Sequence, residues 1–449
     1  MRSDPPMGDS VRAPAGAPVA QAGGLPAGPD DARAGAAPAS GLLAFWREAS
    51  PEARRALVAA SLGWMLDSFD VMLYALVLAS LIADLGMDKT TAGQLGSLTL
   101  IASAAGGVLF GVVADRFGRT RALIASVLIY SVFTAACGLA QTVAQLAVFR
   151  VLLGLGMGGE WASGAALVSE TWPDRHRGKA LGLMQSSWAV GYGAAAIVTM
   201  LVLPRFGWRA VFFVGILPAL FTLWVRRHVP EPDIWRRARE SAAPRRLGGL
   251  GAIVSGGLWR LSLAVTLMNA CTMFAWWGFN LWVPAYLSLP AGKGGVGLST
   301  TAMTTLVVVM QVGMWFGYVT FGFVSDIIGR KRSYVIYVLA AAALLLAYAS
   351  TRQPIVLLAL GPFVAFFGTG YFSGFGAVTA ELYETSIRAT AQGLTYNVGR
   401  IASAVAPFAV GSLADTHGFG LAFALAAGAF VLAAVCWAFI PETRGRALA

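Results

Sequence analysis

Long apolar runs separated by short polar connections set the plan of this chain. A membrane-spanning helix needs roughly 20 predominantly apolar residues, and twelve runs come near that length: 57–83, 91–114, 122–140, 143–168, 179–203, 208–225, 262–288, 299–324, 334–350, 355–380, 390–413 and 418–440. Ser50, Pro51 and Glu52 read as an N-cap with proline at the first helical position, so the first helix opens just ahead of its apolar stretch. One long polar segment splits the runs into six plus six. The pattern predicts an all-α membrane protein of 12 transmembrane helices. Residues 1–49 read as a disordered cytoplasmic tail, 50–226 as an N-terminal six-helix half, 227–257 as a cytoplasmic linker, 258–441 as a C-terminal half and 442–449 as a short cytoplasmic tail. The N-terminal tail is rich in Ala, Gly and Pro and lacks the apolar core of a signal peptide. Residues 230–248 have the composition of a short amphipathic helix on the cytoplasmic membrane face.

Composition agrees with this pattern. Hydrophobic residues make up 57% of the 449 and charged residues 12%, against about 25% charged in soluble domains, which excludes a cytosolic enzyme or a disulfide-stapled secreted module. The net charge of +11 would suggest nucleic acid in a soluble protein, but its distribution gives another reading. With the tail, the even-numbered connections and the C-terminus on one side, 26 basic residues lie there, whereas Lys89, Arg205, Arg209, Lys293 and Arg352 are the five on the other. By the positive-inside rule both termini are cytoplasmic, and no nucleic-acid partner is needed. Arg outnumbers Lys 29 to 4, which with abundant Ala and Gly points to GC-rich codon usage and a bacterial inner membrane. Cys137, Cys271 and Cys436 all lie in apolar runs, odd in number, and indicate neither a disulfide framework nor a metal site.

The two halves repeat each other at an offset of 211 residues. Gly111, Asp115, Gly118, Arg119 and Arg121 recur as Gly322, Asp326, Gly329, Arg330 and Arg332, while Glu170, Arg177 and Gly182 recur as Glu381, Arg388 and Gly393, and Pro230-Glu231 as Pro441-Glu442. Six helices is an even number, so the repeat is parallel. The repeat also sorts the charges. Those present in both halves (Asp115, Arg119, Glu170, Arg177, Asp326, Arg330, Glu381 and Arg388) belong to a common scaffold at the cytoplasmic helix ends, where Asp115 is expected near Arg388 and Asp326 near Arg177 as a cytoplasmic gate between the halves. Loop anchoring is the other role open to them. Those in one half only, Asp67, Asp70, Arg150, Glu160 and Arg400, have Gly278, Leu281, Gly361, Tyr371 and Ala189 at the paired positions and lie deep in the runs.

The segment from Gly111 through Asp115, Gly118 and Arg119 to Arg121, its copy after the eighth run, and Pro441-Glu442-Thr443-Arg444-Gly445 resemble the major facilitator superfamily over nearly the whole chain beyond residue 40. Three further patterns are similar to its metabolite:proton symporters, which include sialate, monocarboxylate and aromatic-acid carriers. They are Leu66-Asp67-Ser68-Phe69-Asp70, Arg150 with Gly154, Gly156, Gly158, Gly159, Glu160 and Trp161, and Asn397-Val398-Gly399-Arg400. The aromatic-acid carriers usually have Gly where this chain has Ser68. The proline of the drug-exporter signature is absent between Gly182 and Gly193. The resemblance implies the major facilitator fold and alternating access by rocking of the two halves.

A charge at mid-membrane costs at least ~2.5 kcal/mol on insertion scales, so each unique charge needs a partner or a wet cavity. Asp67 and Asp70, spaced i, i+3 on one helix face, and Glu160 are the candidate proton carriers, since His176, His228 and His417 all fall in connections. An ion pair with Arg150 is the other role open to Glu160, pairing of Arg150 with a first-helix carboxylate the other role for that arginine, and bonding to a kinked helix the other role for the aspartates. Arg400 is the candidate partner of a substrate carboxylate, because guanidinium binds it bidentately. Arg150, Tyr74, Trp161, Tyr371, Tyr396, Asn280 and Gln311 complete the candidate substrate site, and Trp64, Trp188, Tyr192, Trp276 and Trp277 lie at depths a cavity can use. There is no intramembrane histidine, metal-spaced cluster or nucleophile elbow for an enzyme, and no repeated filter for a channel. The reading is a monomeric carrier, without cofactor, that imports a small organic anion with protons; proton-coupled efflux of an organic acid or drug is the alternative.

Overall fold

The computed structural model describes residues 44–231, 258–383 and 388–444, and helix is the only regular structure among the described residues. Ala44–Glu48 is a short helix in a unit of its own. Beyond it, α1 spans Pro51–Asp84, α2 Lys89–Phe117, α3 Arg119–Cys137, α4 Val143–Thr171, α5 Asp174–Val214 and α6 Pro218–His228. The second half holds α7 Leu258–Asn280, α8 Val283–Ser288, α9 Thr300–Ile328, α10 Arg330–Ser350, α11 Pro354–Thr369, α12 Phe375–Leu382, α13 Arg388–Ser403, α14 Ala406–Thr416 and α15 Phe419–Cys436. Residues 1–43 and 232–257, with most of the linker and of the amphipathic segment expected at 230–248, lie outside the described residues.

The apolar pattern and the helices agree where backbone chemistry lets a run stay in one piece. Ser50 Oγ accepts from Ala53 N at 3.1 Å and Pro51 stands in the first turn, as the sequence predicts. Among the described residues, ten helices are long and apolar enough to cross a membrane. One of these, Gly178–Val225, carries both the fifth and sixth runs, with Pro204 inside it and Gly207 at φ 75° marking the kink where the chain reverses. The eleventh run is divided between α13 and α14, which break just before Pro407, and each piece is too short to count alone. The twelve-run pattern is therefore present with its joints moved by glycine and proline. Large apolar side chains such as Val108, Ile327 and Ile355 stay exposed on the outer surface, which lipid solvates and water does not.

Packing within the first half depends on glycine. A Cβ on Gly158 of α4 would collide with the carbonyl oxygen of Ser103, and one on Gly106 of α2 with that of Leu155, so α2 and α4 touch backbone to backbone. The halves meet along α5 with α9 and α2 with α14. At the end of the bundle away from the termini, Asp415 accepts from Thr90 N and Thr90 Oγ1, both at 3.1 Å, and pairs with Lys89 Nζ at 3.4 Å. Lys89 Nζ also donates to Ala414 O at 3.2 Å, and Ser97 Oγ accepts from Phe408 N at 3.1 Å, so this end is closed.

The duplicated charges tie each half to itself. Arg119 at the start of α3 grips Glu170 at the end of α4, with Nη2–Oε1 at 2.9 Å and Nε–Oε1 at 3.2 Å. Arg330 repeats this 211 residues on, with Nη2 3.2 Å from Glu381 Oε1 and Nη1 2.5 Å from Asp326 Oδ1. Asp326 thus has a partner in its own half, because Arg330 follows it by one helical turn. The side chains of Asp115, Arg177 and Arg388 lie outside the described residues, and with them the expected Asp115–Arg388 and Asp326–Arg177 contacts. The repeated Pro-Glu caps the same helices. Glu231 accepts from Thr120 N and Arg121 N, both at 3.1 Å, and Glu442 accepts from Arg330 N at 2.8 Å, Lys331 N at 3.2 Å, and Thr443 N and Arg444 N at 3.0 Å. Gly118 and Gly329 stand at φ 115° and 103°, where any side chain would also strike these carboxylates.

Partial burial alone would push the Glu442 carboxyl up, but the four backbone N–H donors outweigh it and hold it below the usual carboxylate range of 4.5. A depressed carboxylate stabilises the fold above that range and loses its contribution as pH falls through it. Glu442→Gln is therefore expected to lower Tm by about 1–2 °C at pH 7. The gap from the parent protein should close as the pH of the melt is taken below 4.5.

Candidate functional site

Seven elements of the two halves converge on one cavity between them. From the first half come Trp64 of α1, Met157 of α4, and Gln185 and Trp188 of α5. From the second come Met273, Trp276 and Trp277 of α7, Tyr318 of α9, Phe372 of the 3-10 turn Gly370–Gly374, and Tyr396 and Arg400 of α13. The pairs Gln185/Trp188, Met273/Trp276 and Tyr396/Arg400 are three or four residues apart, so one face of each helix is turned inward. The indole rings form a continuous cluster: Trp64 to Trp188 at 4.6 Å, Trp188 to Trp276 at 5.6 Å and Trp276 to Trp277 at 4.6 Å between centroids. Its free volume of about 40 Å³ holds only a few waters. An organic anion enters only when these rings part.

Arg400 is 7% exposed, and its Nη2 donates to Ser103 Oγ of α2 at 2.6 Å, so a cation of the second half is anchored on the first. It also interacts electrostatically with Asp67. Asp67 and Asp70 are buried together on α1, with Thr134 beside Asp70, and Glu160 of α4 is electrostatically linked to Asp67. Glu160 reaches α1 because Gly63 leaves it room: a Cβ there would stand 2.5 Å from Glu160 Oε1. Asp67 Oδ2 and both Glu160 oxygens have no hydrogen-bond partner among the described residues. A buried carboxylate in that state is costly unless it takes up a proton or meets a cation.

Other expected site residues stand elsewhere. Arg150 does not reach the cavity and pairs with neither an α1 carboxylate nor Glu160; its guanidinium lies 4.0 Å over the ring of Tyr74. Tyr74 is held by donating to Ala92 O at 2.8 Å, which turns its ring into the floor under Arg150 and away from the cavity. Tyr371 is packed among Tyr334, Phe372 and Phe430, with its hydroxyl on Thr272 O at 3.4 Å. Asn280 and Gln311 donate to carbonyls of their own helices, Trp276 O at 3.2 Å and Val307 O at 3.3 Å, and stay in the walls. The side chain of Trp161 lies outside the described residues. Proximity along a helix to a unique charge does not bring Tyr74, Tyr371, Asn280 or Gln311 into the cavity lining, because cavity membership depends on helix rotation.

The residues missed, Met157, Gln185, Met273, Tyr318 and Phe372, carry no signal in type. Gln185 and Met273 could have been found as the i−3 neighbours of Trp188 and Trp276. Ser68, the departure from the aromatic-acid pattern, donates to Trp188 O at 2.7 Å and fixes α1 against α5 beside the cavity. Three lining indoles, Trp64, Trp188 and Trp276, have an Nε1–H that is buried with no acceptor among the described residues, at a cost of about 1–3 kcal/mol each.

Comparison with known proteins bears on this architecture directly. The sequence model of the Major Facilitator Superfamily matches residues 60–302 and 288–448. The chain is 32% identical over 396 residues to the cis,cis-muconate transport protein of Acinetobacter baylyi, covering 86% of this chain and 94% of that protein. It is 30% identical over 390 residues to the sialic acid transporter of Escherichia coli, covering 86% and 94%. Among solved structures, the E. coli xylose transporter in a partially occluded inward-open conformation aligns with a TM-score of 0.72 at 22% identity, covering 89% of this chain and 100% of that one, a likeness of fold. With its twelve apolar runs, its 211-residue internal repeat and a family match over nearly its whole length, the chain belongs to the Major Facilitator Superfamily.

Proposed function

We propose that this transporter imports a planar, unsaturated or aromatic carboxylate together with protons across the bacterial inner membrane, as a monomer with both termini cytoplasmic. The observation that carries the reading is Arg400, the one cation among the described residues that line an indole-walled cavity, within electrostatic reach of Asp67 in the other half. Guanidinium binds a carboxylate bidentately, and flat rings pack against flat anions. Muconate and sialic acid, the cargoes named for two relatives, are both carboxylates. The excess of 26 basic residues over five supports the orientation.

Coupling follows from competition for one guanidinium. An anion entering a cell at about −100 mV moves uphill by ~2.3 kcal/mol, so at least one proton must accompany it. When the substrate carboxylate takes Arg400, Asp67 loses its counter-charge in a low-dielectric site and is stable there only as the neutral acid. Asp70 and Glu160, each in electrostatic interaction with Asp67, are the next carboxyl groups on the proton's route. Residues 50–226 and 258–441 then rock about the cavity. The Lys89–Thr90–Asp415 contacts hold the outer end shut while the inner end releases both cargoes.

Three measurements test this reading. Arg400→Lys should weaken the apparent affinity for the transported acid about tenfold or more, the loss of one bidentate contact, with normal membrane insertion; unchanged affinity removes Arg400 from the site. Asp67→Asn should abolish proton-driven accumulation and retain substrate counterflow, and normal accumulation would place the proton elsewhere. Asp415→Asn should raise the reactivity of a cysteine at Ser97 toward a membrane-impermeant maleimide by about two- to fivefold, in a background without the native cysteines, because roughly 0.5–1 kcal/mol of outer closure is lost. An unaltered rate would mean that these contacts do not set the balance.

A further inference from the structure

A second cavity, of about 670 Å³, opens where α9 gives way to α10 and the last described residues leave α15. One side of it is basic, formed by Lys331 and Arg332 in the first turn of α10 and by Arg444 in the C-terminal segment. Arg332 and Arg444 are exposed, and neither guanidinium has a hydrogen-bond or ion-pair partner among the described residues. Lys331 Nζ donates to Ile440 O at 3.0 Å and has two hydrogens left. Glu442 is the acid in this lining, and the backbone N–H groups of Arg330, Lys331, Thr443 and Arg444 already hold it. The other side is apolar, with Ile328, Val335 and Ile336. Below the basic rim, Arg332, Ile336, Leu339, Ala343 and Leu346 succeed one another on a single exposed face of α10. At 1.5 Å per residue that stripe runs about 21 Å along the helix, more than the ~15 Å of hydrocarbon in one leaflet.

The internal repeat shows that this basic set is not part of the common scaffold. At the positions 211 residues earlier, Thr120 stands for Lys331 and Asp233 for Arg444, and Arg332 alone has a basic counterpart, Arg121. The carboxylate that caps the helix, by contrast, is kept in both halves as Glu231 and Glu442. We propose that the cavity holds the headgroup of an anionic phospholipid, with its phosphate between Arg332 and Arg444 and an acyl chain lying along the exposed stripe of α10. Basic pockets at the ends of membrane helices take such headgroups because the phosphate meets its counter-charge at the depth where the chains enter hydrocarbon. A soluble anion uses the cations and has no use for the stripe. The site is in the second half alone, so it depends neither on the cargo of the central cavity nor on the direction of transport.

The test titrates the full chain, purified in a neutral detergent, with dioleoylphosphatidylglycerol or dioleoylphosphatidylcholine and measures the first lipid bound by native mass spectrometry. Phosphatidylglycerol should bind about tenfold or more tightly than phosphatidylcholine, the contribution of two cations beside an anionic headgroup. Arg332→Gln combined with Arg444→Gln should bring that ratio near one. Arg332→Lys combined with Arg444→Lys keeps the charge and should keep most of the ratio, whereas its loss there too would trace the effect to a disturbed fold and count against the site. Arg121→Gln, at the paired position of the first half, should change the ratio by less than about twofold. Inorganic phosphate in large excess should leave the lipid in place, because it has no chain for the stripe. Equal affinities for the two lipids, a fall in Arg121→Gln as large as in the Arg332/Arg444 pair, or displacement of the lipid by phosphate would overturn the proposal.

Discussion

Arg400 carries a buried charge across the boundary between the two halves, which also meet along α5 with α9 and α2 with α14. Its hydrogen bond to Ser103 and its attraction to Asp67 place the charge of one half in the field of the other. In a low-dielectric interior such a charge is stable only while something answers it, and what answers it can change: Ser103, Asp67 or a bound carboxylate. The remaining features serve that exchange. Gly63 lets Glu160 stand against α1 near Asp67, and Ser68 locks α1 to the carbonyl of Trp188, so the acid cluster and the aromatic wall share one rigid frame.

The charges present in both halves do something different. Arg119 with Glu170, and Arg330 with Glu381, join neighbouring helices inside each half, and Glu231 and Glu442 cap the helices that begin at those arginines. A structure duplicated by descent keeps in both copies what every six-helix bundle needs. Rigid halves are a requirement for rocking, since a half that deformed would dissipate the movement that carries the cavity from one side to the other. Such movement needs weak, separable contacts between halves, and the partly solvated Lys89–Asp415 contact has that character.

Arg150 stands apart from the cavity that Arg400 lines. Its guanidinium lies over the face of Tyr74, whose hydroxyl is held on α2, while its Nε and Nη1 are buried without an acceptor among the described residues. A single-copy arginine deep in a bundle is consistent with either a site or a wall, and only the direction of its side chain separates them.

The run lengths and the 211-residue offset made the fold and the repeat readable from the sequence, because each is a property of spacing and composition that lipid enforces on any chain. The single-copy charges were readable too, and Asp67, Glu160 and Arg400 do lie where two halves or two helices meet. The helix joints at Gly207 and Pro407, by contrast, depended on how backbone kinks were absorbed into packing. The cavity walls depended on helix rotation, which no count along the chain supplies. Tyr74 and Tyr371 look as suitable as Trp64 and Trp276 by depth, yet close contacts such as Gly191 on the carbonyl of Met65 and Gly106 on that of Leu155 fix which face of each helix turns inward. Depth in the membrane is written in one dimension and rotation about a helix axis is settled only by neighbours, so the sequence alone determined the scaffold and its candidate charges, and the tertiary structure decided which side chains face one another across the cavity.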